Sequence, residues 1–263
     1  MFNFDILSTK LDSPELETAV GCLLKSELLG LRIPQFYSLD ACYEISERCH
    51  EHGFFWMQPE WGRIGQTIAQ FHSHPDGKKY YFSCSPKVIE VRKWLFGKYK
   101  DPVEKVAELL YNFYPCQLAF DQEYQQYYAP GVISIQTKGS KLHVDHVQYE
   151  SYDWSLADIQ VQFSCVLYLQ VPEYGGKLEI YNRASRENDI EFEFSPNPKI
   201  RTGVDEKIVG GYSRIEFTPQ IGDLLLFNTN YYHRILRTEG NQSRITSLSF
   251  FGINSKNQLL FFM

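Results

Sequence analysis

Residues 222–251 read GDLLLFNTNYYHRILRTEGNQSRITSLSFF, and this stretch decides the fold class. Its β-branched, leucine and aromatic residues fall into the short runs LLLF, HRIL and SRITSLSFF, with Asn, Gly and Thr between them. Runs of this length, separated by turn-forming residues, are typical of β-strands. The pattern starts near Gly131 and also includes VISIQT, QVQFSCVLYLQV, KLEIY and SRIEF. A series of short strands indicates a β-sandwich or barrel as the core.

The first half of the chain has a different period, which predicts helices. In residues 13–30, SPELETAVGCLLKSELLG, Ser13 is expected to cap a helix that ends at Gly30. Residues 38–53 and 101–115 show the same apolar spacing, and the second of them begins with an Asp-Pro pair suited to a helix start. Helices followed by strands predict an α+β protein.

The halves are not separated by a glycine-rich or serine-rich linker, which predicts a single domain over residues 1–263. Its expected parts are a helix-rich flanking region at 1–130, a β core at 131–252 and a C-terminal tail at 253–263. The charged stretch 182–211 is a long irregular segment, and a functional loop and a solvated insertion fit its composition equally well.

The composition excludes several classes of function. The 263 residues carry a net charge of −6, and 43% of them are hydrophobic and 16% aromatic. This suits a buried core but not the basic surface of a nucleic-acid-binding protein. No apolar run approaches the ~18–20 residues of a membrane span, and the first residues lack a secretory signal pattern. The six cysteines form no C-x-x-C pairs, which predicts reduced thiols in a cytoplasmic protein. We expect a monomer or homodimer that binds a small molecule, and neither nucleic acid nor a membrane.

The stretch KLHVDHVQYE, residues 141–150, holds the first candidate metal ligands. In an extended strand, His143 and Asp145 point to the same face, because residues two apart share a face. His146 then points away from them. A third ligand is available from His233, at the edge of a later predicted strand. Two histidines and one carboxylate form the facial triad that binds non-haem Fe(II) and leaves coordination positions open.

A basic residue follows the third ligand at a fixed spacing. Arg244 lies eleven residues after His233, and Thr246 shares its face of the last predicted strand. An arginine in this position can bind a carboxylate through two parallel hydrogen bonds. Arg234 and Arg237 are rival candidates, but Arg234 adjoins His233 and so points to the opposite face, and Arg237 falls in a predicted turn.

Other histidines fit structural roles better. The segment FHSHPDG places His72, His74 and Asp76 together, but Pro75 between the last two favours a polar turn over a central strand. The remaining two, at positions 50 and 52, come at the end of a predicted helix, where a polar or charged ring suits the helix dipole. The alternative for His143, Asp145 and His233 themselves is that they are unrelated polar residues.

Residues 131–252 resemble the Fe(II)/2-oxoglutarate-dependent dioxygenase superfamily through the signature H-V-D … H-x10-R-x-T. Within it, GVISIQTKGSKLHVDH and LQVPEYGGKLEIYNR are similar to the branch that contains the carbon halogenases of indole-alkaloid biosynthesis. The resemblance implies a double-stranded β-helix, also called a jelly roll or cupin-like core, with flanking helices at its N-terminal side.

The resemblance also implies the roles of individual residues. Fe(II) would be bound by His143, Asp145 and His233, which are the metal ligands and the catalytic residues. The cosubstrate 2-oxoglutarate would chelate the iron and place its distal carboxylate against Arg244, with Thr246 and Tyr168 contributing to its binding. With O2, an enzyme of this class oxidises a C–H bond and releases succinate and CO2.

One departure from the halogenases bears on the reaction. They carry a small residue at the position of Asp145, and the space it leaves is where halide binds iron; the carboxylate here therefore implies hydroxylation or a related oxidation. A small molecule of specialised-metabolite biosynthesis is the expected substrate. The alternatives are a protein or peptide hydroxylase of the prolyl type, and a non-catalytic jelly-roll binding protein.

Overall fold

The structure, a computed structural model, describes residues 3–71, 74–150, 154–186, 189, 204–240 and 242–263. Its helices are α1 Leu16–Leu24, α2 Leu39–His52, α3 Gly77–Phe96, α4 Pro102–Leu110 and the short α5 Val147–Glu150. Its strands are β1 Asn3–Ser8, β2 Leu28–Ile33, β3 Phe55–Gln58, β4 Trp61–Ile64, β5 Cys116–Leu118, β6 Phe120–Asp121, β7 Gln126–Tyr127, β8 Val132–Gln136, β9 Ile159–Gln170, β10 Tyr174–Gly175, β11 Leu178–Ala184, β12 Arg214–Phe217, β13 Leu224–Asn228, β14 Tyr231–Ile235, β15 Thr238–Glu239, β16 Arg244–Asn254 and β17 Leu259–Phe262.

Two of the three predicted helices have the expected starts. The Ser38 hydroxyl accepts a hydrogen bond from the backbone N–H of Ala41 at the start of α2, and the Asp101 carboxylate accepts one from Val103 at the start of α4. Such caps satisfy backbone donors that lack a partner within the helix. The predicted helix over residues 13–30 is wrong in its second half, because α1 ends at Leu24.

Residues 28–33 instead form β2, which lies between β1 and β13 in the largest sheet of the described residues. The run LLGLRI is apolar throughout, so its period does not separate a buried strand from a buried helix. The hydrogen bonds offered by β13 and β1 decide the outcome. Gly30 does not end a helix; a side chain there would press on Ile6, Leu226 and Phe227.

Two of the sheets formed by the described strands face each other, and the short pairs β10-β15 and β6-β7 form two further two-stranded sheets. The larger, which we call the main sheet, has the order β1-β2-β13-β9-β16-β8-β4-β3, with β17 and β5 attached beside β16. The smaller, which we call the small sheet, has the order β12-β11-β14. Neighbouring strands of the main sheet come from distant parts of the chain, as in a jelly roll, and the predicted α+β jelly-roll fold is confirmed.

The two faces of the main sheet belong to different cores. Leu167 of β9 packs among apolar side chains of the helices α1, α2 and α4, whereas its neighbours Val166 and Tyr168 pack against Ile180 and Phe217 of the small sheet. This alternation follows from the period of two along a strand. We call the face that carries Tyr168 the inner face, because it looks toward the small sheet.

The C-terminal segment also belongs to the main sheet. The sequence interpretation left residues 253–263 as a tail, but β17 pairs antiparallel with β16 and parallel with β5, and its side chains are buried. Burial of four large apolar residues and a full set of hydrogen bonds holds this segment in place. All six cysteines are free thiols. Among the described helices, none combines the length and the apolar character needed to cross a membrane.

A buried carboxylate stabilises the outer face of the small sheet. Glu179 is only 1% exposed and pairs with Arg214 at 2.9 Å and Arg234 at 2.6 Å, while the Tyr181 hydroxyl donates to it at 2.6 Å. We expect Glu179→Leu to lower the free energy of unfolding by about 2–3 kcal/mol, less than for a wholly buried pair, because both arginines keep contact with water. Urea unfolding measures this, with Glu216→Leu on the exposed surface as the control. Equal effects of the two changes would contradict it.

Candidate metal centre

Backbone hydrogen bonds hold the segment 141–145 beside β14. The backbone N–H of His143 donates to the carbonyl of His233 at 3.0 Å, and that of His233 donates back at 2.9 Å. Asp145 is fixed in turn by Thr229, whose carbonyl accepts from the Asp145 N–H at 3.2 Å and whose hydroxyl donates to the Asp145 carbonyl at 3.1 Å. The segment is an isolated bridge rather than the strand that the sequence predicted. It nevertheless lies along the free edge of the small sheet.

This arrangement brings the three predicted ligands together. His143, Asp145 and His233 each offer one ligand atom, and these atoms all lie within 4.8 Å of one another. Nε2 of His233 is 3.3 Å from Oδ2 of Asp145, and the two imidazole rings are 4.4 Å apart between centroids. His233 is buried, while the other two are half-buried. A single cation can therefore contact all three side chains.

Both imidazoles are oriented for coordination through Nε2. Nδ1 of His143 lies 2.7 Å from the carbonyl oxygen of Lys141, and Nδ1 of His233 lies 2.8 Å from that of Tyr231. Because a carbonyl oxygen only accepts, each Nδ1 carries the proton, and the lone pair of each Nε2 remains free. A hydrogen bond to the outer nitrogen is how proteins fix the tautomer and ring direction of a metal-binding histidine.

The local electrostatics favour the protonation states that bind a cation. Burial and the neighbouring His233 lower the pKa of His143, which keeps the ring neutral. Burial opposes ionisation of Asp145, but the close approach of His233 and the other nearby imidazoles outweigh it and hold the pKa of Asp145 below its usual value. Two neutral imidazoles and one ionised carboxylate are the ligand forms that a divalent metal requires.

Arg244 lies on the inner face of the main sheet and is 5% exposed. Its Nη1 donates to the Gln136 amide oxygen at 3.0 Å and lies 3.5 Å from the Thr246 hydroxyl, and its guanidinium lies 4.9 Å from the centre of the Tyr168 ring. β16 aligns Thr246 with Tyr168 on β9 on one side and with Ser134 on β8 on the other. The three predicted cosubstrate-binding residues are therefore neighbours.

The positive charge of Arg244 lacks a negative partner within the described residues. Its contacts there are neutral, its Nε has no hydrogen-bond acceptor, and the Tyr168 hydroxyl beside it has no partner either. Burial raises the pKa of Tyr168, so this hydroxyl remains a donor. An unpaired buried cation is costly, and an anionic ligand offsets that cost. The residues present fit a bound dicarboxylate such as 2-oxoglutarate.

The two arginines considered as alternatives to Arg244 do not lie beside Thr246 and Tyr168. Arg234 pairs with Glu179 and Glu206 on the outer face of the small sheet, as its place beside His233 predicts, and Arg237 is exposed. Burial lowers the pKa of His146 to about 4, so this ring is neutral.

The described residues of the segment FHSHPDG are not among the side chains that converge on this site. His74 and Asp76 form a turn before α3, where the His74 ring accepts from the Asp76 N–H, while His72 is outside the described residues. In the charged stretch 182–211, residues 206–209 form a short 3-10 helix beside the small sheet. Residues 187–188 and 190–203 of this stretch are not among those that the structure describes.

Sequence reasoning missed Gln136 and Ser134 as neighbours of Arg244. Both are polar residues on the inner face of β8, and their alternation with the buried Ile133 and Ile135 in VISIQ was the signal that could have identified them.

Solved structures share this fold. An N-substituted L-amino acid dioxygenase from Burkholderia ambifaria AMMD, in complex with alpha-KG, superposes with a TM-score of 0.66 at 15% identity, covering 94% of this chain and 90% of that one. A second structure of that dioxygenase gives a TM-score of 0.64 at 14% identity, with the same coverage. A jelly roll with two imidazoles and one carboxylate at bonding distance defines the class of non-haem iron oxygenases.

The sequence comparisons identify the family. The family model described as "Carrier-protein-independent halogenase WelO5" matches residues 5–263, and the chain belongs to this family. A curated relative, "Leucinostatins biosynthesis cluster protein S" of Purpureocillium lilacinum, is 26% identical over 199 residues, or 74% of this chain and 80% of the relative. The protein is an Fe(II)/2-oxoglutarate-dependent oxygenase that uses O2, as the sequence predicted. The alternatives of a peptide hydroxylase and a non-catalytic binding protein are not supported.

Proposed function

We propose that this oxygenase hydroxylates, or otherwise oxidises, a C–H bond of a small molecule in specialised-metabolite biosynthesis, releasing succinate and CO2. Fe(II) is held by His143, Asp145 and His233. The observation that carries the proposal is the approach of the Asp145 carboxylate to within 3.3 Å of His233 in a site where His143 also converges. The leucinostatin-cluster relative supports a biosynthetic role.

The chain's own residues orient the cosubstrate. When bound, iron with 2-oxoglutarate and O2 supplies the oxidising chemistry. The Arg244 guanidinium would pair with the distal carboxylate of 2-oxoglutarate, and the hydroxyls of Tyr168 and Thr246, which neighbour this guanidinium, would donate to it. The Gln136 amide oxygen accepts a hydrogen bond from Nη1 of Arg244 and helps to fix the guanidinium. Their buried setting strengthens these charge-assisted bonds, because water does not compete for them.

The family name refers to halogenation, but Asp145 favours hydroxylation. A halogenating centre of this type needs a coordination position for halide where the carboxylate ligand otherwise lies. With iron bound, the Asp145 side chain would occupy that position; its backbone is fixed by Thr229, and its lowered pKa keeps it charged. A fixed anionic ligand excludes halide both by space and by charge.

We also propose that residues 1–263 act as one domain. Two observations support this. β2 and β4, from the flanking region 1–130, pair with β13 and β8 of the core, and β17, from the segment 253–263, pairs with β16.

Anaerobic titration of the protein with Fe(II) and 2-oxoglutarate tests the proposed function. We expect a weak visible charge-transfer band, because 2-oxoglutarate chelates the iron, and slow succinate formation once O2 is admitted. The control omits 2-oxoglutarate and should give no band. Absence of the band at every pH and metal concentration tried would overturn the proposal.

A further inference from the structure

A second arginine is buried on the inner face without a negative partner. Arg63 on β4 is 2% exposed, and within the described residues it forms no ion pair. Nη1 donates to the Thr67 hydroxyl at 3.0 Å, Nη2 lies 3.0 Å from the Met57 sulfur, and Nε has no acceptor. Burial lowers the pKa of Arg63 to about 10, which still leaves it charged at neutral pH. A thioether is a weak acceptor, so one edge of this guanidinium lacks any oxygen partner.

Two other arginines of the chain show what this edge normally binds. Arg92 donates through Nε and Nη2 to the two oxygens of Asp101, at 2.9 and 2.8 Å. Arg32 places the same two atoms against Asp223, with Nε and Nη2 each 2.8 Å from one carboxylate oxygen. The Nε–Nη2 edge is thus carboxylate-bound in both, as the planar fork of arginine favours. In Arg63 this edge meets only sulfur.

The sheet register places Arg63 two strands away from Arg244 and Thr246, the residues proposed to bind 2-oxoglutarate. Arg63 is aligned with Ser134 on β8, and Ser134 is aligned with Thr246 on β16. Aligned residues of antiparallel strands point to the same face, so Arg63 points toward the same interior as Arg244 and Thr246. Two strand spacings, about 10 Å, separate β4 from β16. A molecule bound at Arg63 therefore leaves the Arg244 position to 2-oxoglutarate.

The order of the strands relates this flank of the main sheet to the metal ligands. The segment 141–145, which carries two of the metal ligands, follows the main-sheet strand β8 in the chain. Within the described part of the chain, this segment lies beside β14, at the edge of the small sheet. β4 lies one strand beyond β8. Arg63 therefore lies on the strand beside β8, and β8 leads into the segment that carries His143 and Asp145.

Several of the side chains near Arg63 are apolar. Phe55 is aligned with it on β3 and is 67% exposed, and Met57, which covers Nη2, is 38% exposed. The Trp61 ring lies 5.4 Å from the guanidinium. Methionine is flexible, so its displacement opens the free edge of the guanidinium. A ligand with one acidic group and an apolar body matches this combination of buried charge and exposed apolar side chains.

We infer that Arg63 binds the carboxylate of the primary substrate, which is a small amphipathic acid, through its Nε–Nη2 edge. The inference rests on the proposed function and adds the chemical class of the substrate and a residue that selects it. The carboxylate displaces Met57 from the guanidinium, and the apolar body contacts Phe55 and Trp61. Anchoring one end in this way fixes which carbon faces the metal centre.

The first test measures stability and needs no ligand. We expect Arg63→Met to leave the melting temperature unchanged within about 2 °C or to raise it, because it removes an uncompensated buried charge. The matched control Arg92→Met removes one partner of a buried ion pair and should lower the melting temperature by several degrees. A fall for Arg63→Met as large as for Arg92→Met would assign Arg63 to a structural ion pair and overturn the inference.

The second test uses probe acids with their matched amides. Octanoate, 4-phenylbutyrate and N-acetyl-L-leucine, with the corresponding primary amides, are titrated calorimetrically into the anaerobic enzyme loaded with Fe(II) and 2-oxoglutarate. We expect at least one acid to bind about ten-fold or more tightly than its amide, since a bidentate ion pair replaces a neutral contact. Arg63→Met should abolish this preference and leave 2-oxoglutarate affinity and the charge-transfer band unchanged.

The outcomes separate this inference from the proposed function. The inference is overturned if no acid binds more tightly than its amide, or if the preference for an acid persists in Arg63→Met. In either case, a charge-transfer band in the unaltered enzyme still supports the oxygenase assignment. A loss of 2-oxoglutarate binding in Arg63→Met would place Arg63 in the cosubstrate site and also overturn the inference. Absence of the band in the unaltered enzyme overturns the proposed function itself, and the stability test of Arg63 still applies.

Discussion

Asp145→Gly should lose hydroxylation by about 100-fold or more, because even removing a hydrogen-bond partner of a metal ligand costs about 10- to 100-fold. The fold should survive, since Thr229 holds position 145 through its backbone. Succinate formation, bound iron and product mass measure the effect. In chloride buffer, product mass also shows whether the position left by the carboxylate accepts halide.

Asp158→Asn is the matched control for this change. Asp158 is exposed, and its side chain accepts a hydrogen bond from the Ser255 hydroxyl, a contact unrelated to metal binding, so we expect full activity and full iron content. Retained hydroxylation in Asp145→Gly would remove Asp145 from the ligand set. The preference for hydroxylation over halogenation would then lose its physical basis.

Arg244→Met should weaken 2-oxoglutarate binding by about 30- to 4,000-fold, because truncating one partner of a buried charge pair costs about 2–5 kcal/mol. Iron binding should change little, because Arg244 contacts Gln136, Thr246 and Tyr168 rather than the metal ligands. Titration of 2-oxoglutarate, followed by the charge-transfer band, separates the two affinities.

Arg234→Met is the control, because it removes an arginine from the outer face of the small sheet rather than from the inner face of the main sheet. Arg234 is adjacent to His233 in sequence, but it pairs with Glu179 and Glu206 on the outer face of the small sheet. We expect reduced stability with unchanged 2-oxoglutarate affinity. If Arg244→Met reduced iron and 2-oxoglutarate binding equally, or if Arg234→Met reproduced its effect, the anchor would be wrongly assigned.

The elements that sequence reasoning predicted are those with local signals. α2 and α4 carry side-chain caps within three residues of their starts, and these caps identify a helix without reference to the rest of the chain. α3 was missed: it contains Pro86, and its apolar residues lack a clear helical period. β2 was taken for the end of a helix because its pairing with β13 joins residues about 190 positions apart.

The sequence by itself determined the chemistry of the metal centre. The spacing of His143 and Asp145 and the presence of His233 and Arg244 identify the side chains that we propose as ligands of a cation and an acid, because ligand preference is a property of the side chain. Only the tertiary structure decided which charges are left without a partner. Arg92 and Arg63 are both buried arginines, yet the packing of α3 against the start of α4 gives Arg92 a carboxylate, whereas β4 places Arg63 on the inner face without one among the described residues. Burial and pairing depend on contacts between distant segments, and no local spacing encodes them.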